Sequence, residues 1–211
     1  GQLNIINNTS AASLTAVGLT QTFSIDKTTL VKTPLFSYPT ITSFDHILAG
    51  DTLLISGKNA ANQQVVSAFN VNNGISFWQY SNGLQGYFNQ IRLDTSGHVY
   101  GAGESNNKIN LCKLSMSNGN EIWRTYGDTI THPKTSTYDL LINKNKEYIV
   151  VAGSNNHLNN STDALFYFFD IHGVLYESIL KEDEQNIVSV SVCMEELIDN
   201  KIYAGGSINS F

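Results

Sequence analysis

The sequence predicts an all-β chain assembled from a repeated unit of four short antiparallel strands, and three observations carry that expectation. Short apolar or alternating runs bounded by Asn, Asp, Ser and Gly recur along the whole length, and no stretch keeps a helical period for the length of a helix. Glycines recur at Gly57, Gly103, Gly153 and Gly206, in steps of 46, 50 and 53 residues, each expected to close the second strand of a unit. Asn-Gly followed by Trp recurs at one offset, Asn73-Gly74 before Trp78 and Asn118-Gly119 before Trp123, as a hairpin turn leading into a strand that ends on an indole.

Residues 1–39 already carry strand-like text at 2–6, 18–26 and 29–36, with apolar and polar residues alternating over 19–25. Residues 19–26 are expected to be a third strand and 29–36 a fourth, with 3–6 a spare second strand; Pro34 and Pro39 end the run. The first full unit then predicts strands at 44–48, 52–56, 64–69 and 75–80. A second repeats the order at 88–93, 98–102, 108–114 and 120–125. A third does so at 139–142, 148–152, 164–169 and 174–179, with Asp170 to Tyr176 as a shortened copy of the Asn-Gly hairpin. The pattern stops half way, with a first strand at 189–194 and a second at 201–206.

A period near 46 to 53 residues with four strands per unit is that of a β-propeller blade. The expected division is a partial blade at 1–39, blades at 40–86, 87–137 and 138–186, and a partial blade at 187–211, so that about four blades are in view. The two partial blades either complete each other in a closed ring or form a segment of a larger propeller or polymer, and the spare strand favours the segment. Gly rather than Met at position 1 fits a piece of something longer.

Ala68-x-Asn70-x-x-Asn73-Gly74-x-x-x-Trp78 resembles the tryptophan-docking repeat of quinoprotein-type propellers. Asp94-Thr-Ser-Gly-His-Val-Tyr-Gly-Ala-Gly103 resembles the Asp-x-x-Gly-x-x-Tyr-x-x-Gly repeat of bacterial propellers. The resemblance implies a structural role for these residues, Trp78 and Trp123 packing between neighbouring blades and the Gly closing a turn. The adjacent Cys pair and the acid cluster of pyrroloquinoline quinone enzymes are missing, so it implies no functional residues and no cofactor.

A charged fraction of 14% beside 24 Asn suits strands joined by polar turns. A net charge of −6 offers no basic stripe for phosphates, which speaks against nucleic acid and anionic membranes as partners, and no apolar run is long enough to span a membrane. Cys112 and Cys193 both sit in apolar strand text and are expected to be small buried hydrophobes, with a single disulfide as the other reading. His46, His98, His132, His157 and His172 lack metal-binding spacing, and Glu182, Asp183, Glu184, Glu195 and Glu196 read as a solvated acidic face rather than a calcium loop.

Overlapping sequons at Asn7, Asn8, Asn159 and Asn160 lie in polar loops and point to N-glycans and an extracellular or cell-surface location. Asp45, Asn89 and Asp139 each fall in a first strand, the strand that lines a propeller's central channel; they either converge on a ligand or satisfy inner-rim backbone groups. The functional expectation is a non-catalytic structural or protein-interaction module, self-associating or partner-binding, in a cell-surface or fibrous assembly. The alternative is a propeller enzyme, a quinone-dependent dehydrogenase or a hydrolase, with its site at the channel.

Overall fold

The computed structural model describes residues 4–6, 13–17, 21–26, 28–29, 32–38, 40–128, 135–143, 145, 148–156, 162–181, 189–196 and 202–209. These residues form two compact units, 1–88 and 89–211, each considered by itself. Every strand pairing for which a register is defined is antiparallel.

In the first unit, β1 (Asn4–Ile6), β2 (Ser13–Val17), β3 (Gln21–Asp26) and β4 (Lys32–Ser37) follow one another across a four-stranded sheet. The expected third and fourth strands are therefore β3 and β4, but they complete a set of four instead of standing beside a spare strand. Ser13-Leu14-Thr15-Ala16-Val17 forms the additional strand, and its small residues give an alternation too faint to read in the sequence. The same unit continues with β5 (Ile41–Ala49), β6 (Thr52–Asn59), β7 (Gln63–Asn70) and the start of β8 (Ser76–Leu93).

In the second unit the end of β8 lies beside β9 (His98–Ser105), followed by β10 (Lys108–Ser115) and β11 (Glu121–Tyr126). A further set consists of β12 (Thr135–Ile142), β13 (Tyr148–Asn156), β14 (Thr162–Asp170) and β15 (Leu175–Lys181). The described strands end with a two-stranded pair, β16 (Ser189–Glu196) and β17 (Ile202–Asn209).

The abundant Asn and Asp have a local job. Their side-chain oxygens accept hydrogen bonds from backbone N–H groups two or four residues on, so each turn closes without a regular ladder. Asn59 holds Ala61 N and Gln63 N, Asp170 holds His172 N and Val174 N, and Asn118 holds Asn120 N. Asp94 Oδ1 takes Ser96 N at 2.7 Å and His98 N at 3.0 Å, while Oδ2 lies 3.1 Å from His98 Nδ1. Burial pushes the Asp94 carboxyl up, yet these donors outweigh it and hold the group below the usual carboxylate range. Between β9 and β10 the two-residue turn Asn106-Asn107 has both φ positive, the mirror-image turn that matches strand twist.

Three of the third-to-fourth-strand hairpins, β7–β8, β10–β11 and β14–β15, share one construction. Each turn carries a glycine in the left-handed region, Gly74 at φ 73°, Gly119 at 72° and Gly173 at 84°, and each is followed by a bulge one pair into the ladder. Beyond the bulge Trp78 faces Ala68 and Trp123 faces Lys113, so the two indoles hold equivalent ladder positions; both are half-buried rather than fully enclosed. The same register places Glu177 opposite Phe168 in β15; in β4, where the bulge lies three pairs from a turn without glycine, Phe36 faces Thr22 just beyond the bulge.

Within each unit these aromatics reach the next set. A Cβ on Gly74 would lie 2.5 Å from the Phe36 ring, and one on Gly173 would lie 2.8 Å from the Trp123 indole. Trp123 Nε1–H also donates to Ile171 O at 3.2 Å, and its ring meets Tyr100 edge-on at 6.0 Å. Around these contacts lie the core layers. One joins Tyr100, Ile109 and Leu111 to Ile149, Val151, Leu165 and Tyr167. Another joins Val150 and Ala152 to Met194, with Ile202 packed against them. Successive residues of β13 therefore feed opposite layers, and all four are fully buried, as a period of two requires in a strand covered on both faces.

The repeat glycines do not close strands. Gly57, Gly103, Gly153 and Gly206 lie inside β6, β9, β13 and β17. At Gly57 a Cβ would stand 2.0 Å from Thr42 O, and at Gly153 2.1 Å from Ser136 O, where the neighbouring first strand bulges between Ser43 and Asp45 or between Thr137 and Asp139. Close backbone approach, not a turn, demands the glycine. Gly153→Ala is expected to lower stability by more than about 1 kcal/mol. Gly205→Ala, whose Cβ would meet nothing nearer than Cys193 Sγ at 3.8 Å, should cost well under that in the same urea titration.

Candidate functional site

In the second unit the first strands β8, β12 and β16 bring their side chains together around Asp139. The bulge after Thr137 turns Asp139 inward, where it is 8% exposed. Oδ1 accepts from Leu140 N and from Arg92 Nη2, both at 2.8 Å, and Oδ2 accepts from Met194 N at 2.6 Å. One buried carboxylate thus ties three first strands. Arg92 Nη1 donates to Ile91 O at 2.7 Å, and the Arg92 side chain keeps 37% of its surface exposed, so the cation is both anchored and presented. Asn89 Nδ2 donates to Thr137 O, leaving Oδ1 buried with no hydrogen-bond donor among the described residues.

A shallow pocket of about 270 Å³ opens here, lined by Arg92, Leu93, Leu140, Leu141, Ile142, Met194 and Glu195. Its lining mixes Leu, Ile and Met with a guanidinium and a carboxylate, a largely polar surface suited to holding a polar side chain or small polar molecule. Among the described residues no three His, Cys, Asp or Glu side chains come together as metal ligands.

Of the channel candidates, Asn89 and Asp139 meet through the Thr137–Asp139 bulge, while Asp45 belongs to the first unit. Asp45 sits beyond the matching bulge of β5 and accepts from His46 N at 2.9 Å, as Asp139 does from Leu140 N. Burial lowers the His46 pKa, only partly opposed by the Asp45 charge, so its ring is neutral at pH 7. His98 pairs with Asp94 and His172 is exposed in the β14–β15 turn. His132, His157, Glu182, Asp183, Glu184 and the four sequon residues Asn7, Asn8, Asn159 and Asn160 lie outside the described residues.

The cysteines divide. Both are free; Cys112 is buried, which pushes its thiol up to about 12, whereas Cys193 is exposed, against expectation. On β16 its side chain shares a face with exposed Glu195 and, across the pair, exposed Gly205 and Tyr203, so apolar strand text is here not matched by cover.

Sequence reasoning also missed a surface feature that only the hairpin register reveals. The residue just before the Trp78 position is exposed and large in all four complete sets: Leu35 at 40%, Phe77 at 54%, Ile122 at 50% and Tyr176 at 54%. Without the bulges aligned, these four share no readable motif.

Removing the Asp139 carboxylate strands two backbone N–H groups, so Asp139→Ala should cost about 3 kcal/mol of unfolding free energy. Arg92→Ala, at a half-exposed cation that leaves both N–H groups paired, should cost about 1 kcal/mol or less. Chemical denaturation of the two variants beside the parent checks the ranking.

No protein-family model and no curated protein matches this chain. Solved structures do. It is similar to BamB from Moraxella catarrhalis, at 12% identity over 93% of this chain and 54% of that one, with a TM-score of 0.52. It is similar to the extracellular domain of BT4673 from B. thetaiotaomicron, at 15% identity over 96% of this chain and 25% of that one, with a TM-score of 0.59. The N-terminal domain of Nup159 matches at 9% identity over 97% of this chain and 57% of that one, with a TM-score of 0.55. The chain therefore spans between 25% and 57% of the length of these structures. No described helix is long and apolar enough to cross a membrane. At these identities the likeness speaks to fold, and with the strand order above it makes the chain a β-propeller of repeated four-stranded antiparallel units.

Proposed function

We propose that this protein is a non-catalytic, extracellular β-propeller that works as a structural or protein-interaction module, self-associating as a repeated subunit of a cell-surface or fibrous assembly. The observation that carries the reading is one large exposed apolar side chain at the bulge of each complete fourth strand, Leu35 and Phe77 in the first unit and Ile122 and Tyr176 in the second. Isolated exposed apolar residues are ordinary on a protein surface; the same bulge position kept apolar four times supports cover by a partner. The blade type that fits best is the tryptophan-docking repeat, with Trp78 and Trp123 at its aromatic position and Phe36 standing in the first set.

Sedimentation velocity tests self-association. The parent should show a sedimentation coefficient that rises with concentration. The combined variant Leu35→Ser, Phe77→Ser, Ile122→Ser and Tyr176→Ser should stay at the monomer value with unchanged circular dichroism. A parent that remains monomeric throughout would remove this reading.

The extracellular location rests on the sequons at Asn7, Asn8, Asn159 and Asn160. Protein taken from its native source should lose mass on enzymatic deglycosylation; an unchanged intact mass would withdraw the support that the sequons give.

A further inference from the structure

In the first unit the β7–β8 ladder is interrupted a second time, away from its hairpin turn. Gln63 pairs with Gln85 and Val65 with Ser81, so three residues, Asn82, Gly83 and Leu84, stand opposite the single Gln64. Carboxamides hold this bulge. Gln64 is fully buried; its Nε2 donates to Tyr87 O at 3.1 Å, and its Oε1 accepts from Asn82 Nδ2 at 2.7 Å. Gln63 Nε2 donates to Gly83 O and Gln85 Nε2 to Ala61 O, both at 3.2 Å.

Asn82-Gly83 is one of three Asn-Gly pairs in the chain, with Asn73-Gly74 and Asn118-Gly119. In all three the Asn Oδ1 accepts from the backbone N–H two residues on, of Ile75, Leu84 or Asn120, which draws electron density from the side-chain carbonyl carbon. The glycine N–H sets the pairs apart. Gly74 N–H is tied to Asn70 O at 2.8 Å and Gly119 N–H to Ser115 O at 2.9 Å. Gly83 N–H reaches Ser81 Oγ at 3.4 Å, a long bond, and Gly83 is exposed with nothing within 4 Å of the place a Cβ would take.

We propose that Asn82-Gly83 is a self-modification site, where the chain converts Asn82 to aspartate and isoaspartate and so opens the carboxamide clasp. A solvent base takes the Gly83 N–H proton, the nitrogen forms a bond to Asn82 Cγ, and the Cγ–Nδ2 bond breaks with its nitrogen leaving as ammonia. Water then opens the cyclic imide. Cleavage at Cγ leaves aspartate, and cleavage at the backbone carbonyl carbon leaves isoaspartate, with the main chain running through the former side chain. Either product is a carboxylate, an acceptor without a donor, and it faces Gln64 Oε1 where Asn82 Nδ2 had donated. Gln64 can meet it only by turning Nε2 away from Tyr87 O, so the clasp loses a hydrogen bond whichever way Gln64 turns. The conversion is independent of what covers the fourth strands.

Peptide mapping by mass spectrometry tests this on the folded 211-residue chain aged in mildly alkaline buffer. It reads the mass gained when an amide NH2 becomes OH, and chromatography separates the two products. Position 82 should convert at least about fivefold faster than 73 or 118, the factor that one net hydrogen bond on the glycine N–H supplies. In denaturing urea the three rates should converge. No conversion at 82, or a rate no higher there than at 73 or 118 in the folded chain, overturns the site. Asn82→Asp reads the consequence: amide hydrogen exchange over residues 61–64 and 83–87 should rise about fivefold or more, with the β10–β11 hairpin unchanged. Unchanged exchange over those residues overturns the opening of the clasp.

Discussion

One contact recurs in each unit of this molecule, an aromatic ring laid over a glycine turn. In the first unit Phe36 lies over Gly74; in the second Trp123 lies over Gly173 and bonds to Ile171 O. The glycine is needed twice at each place. Its positive φ lets the hairpin turn, and its missing Cβ leaves the ring room to sit. The bulge that follows the turn sets which side chain of the fourth strand faces inward, so turn, bulge and ring act as one device.

Such a device lets one sheet end where the next begins without a polar gap between them. A strand like β13 can then be apolar on both faces, as Ile149 and Val151 serve one layer while Val150 and Ala152 serve another. Where no described strand lies alongside, residues of apolar strand text stand exposed. Tyr203, Ala204 and Cys193 show that consequence in β16 and β17, and the carboxylate of Asp139 reaches across to Met194 N to hold that pair in place.

Much of the fold was legible because propeller repeats write their turns in side chains. Asn-Gly before Trp, and the Asp94 turn with its Gly97, put the hairpins of β5 to β15 within a few residues of where they lie. What stayed hidden needed a partner strand to be seen. Gly57 and Gly153 looked like turn residues, and only the opposed bulges of β5 and β12 show a carbonyl where a Cβ would stand. Phe36 did not look like Trp78, because ring identity differs where register agrees. The candidate site was legible as residue types, in Asn89 and Asp139, but not as a joint: Arg92 carried no motif, and its meeting with Asp139 spans 47 positions.

The most direct measurement of the docking device is a double-mutant cycle between Trp123 and Gly173, read by urea unfolding of Trp123→Phe, Gly173→Ala and the double variant. If the indole sits on the glycine, relieving the ring should relieve part of the damage done by the Cβ. The double variant should then be more stable than the sum of the singles implies by about 1 kcal/mol. Additivity to within about 0.3–0.5 kcal/mol would show two independent residues and contradict the account.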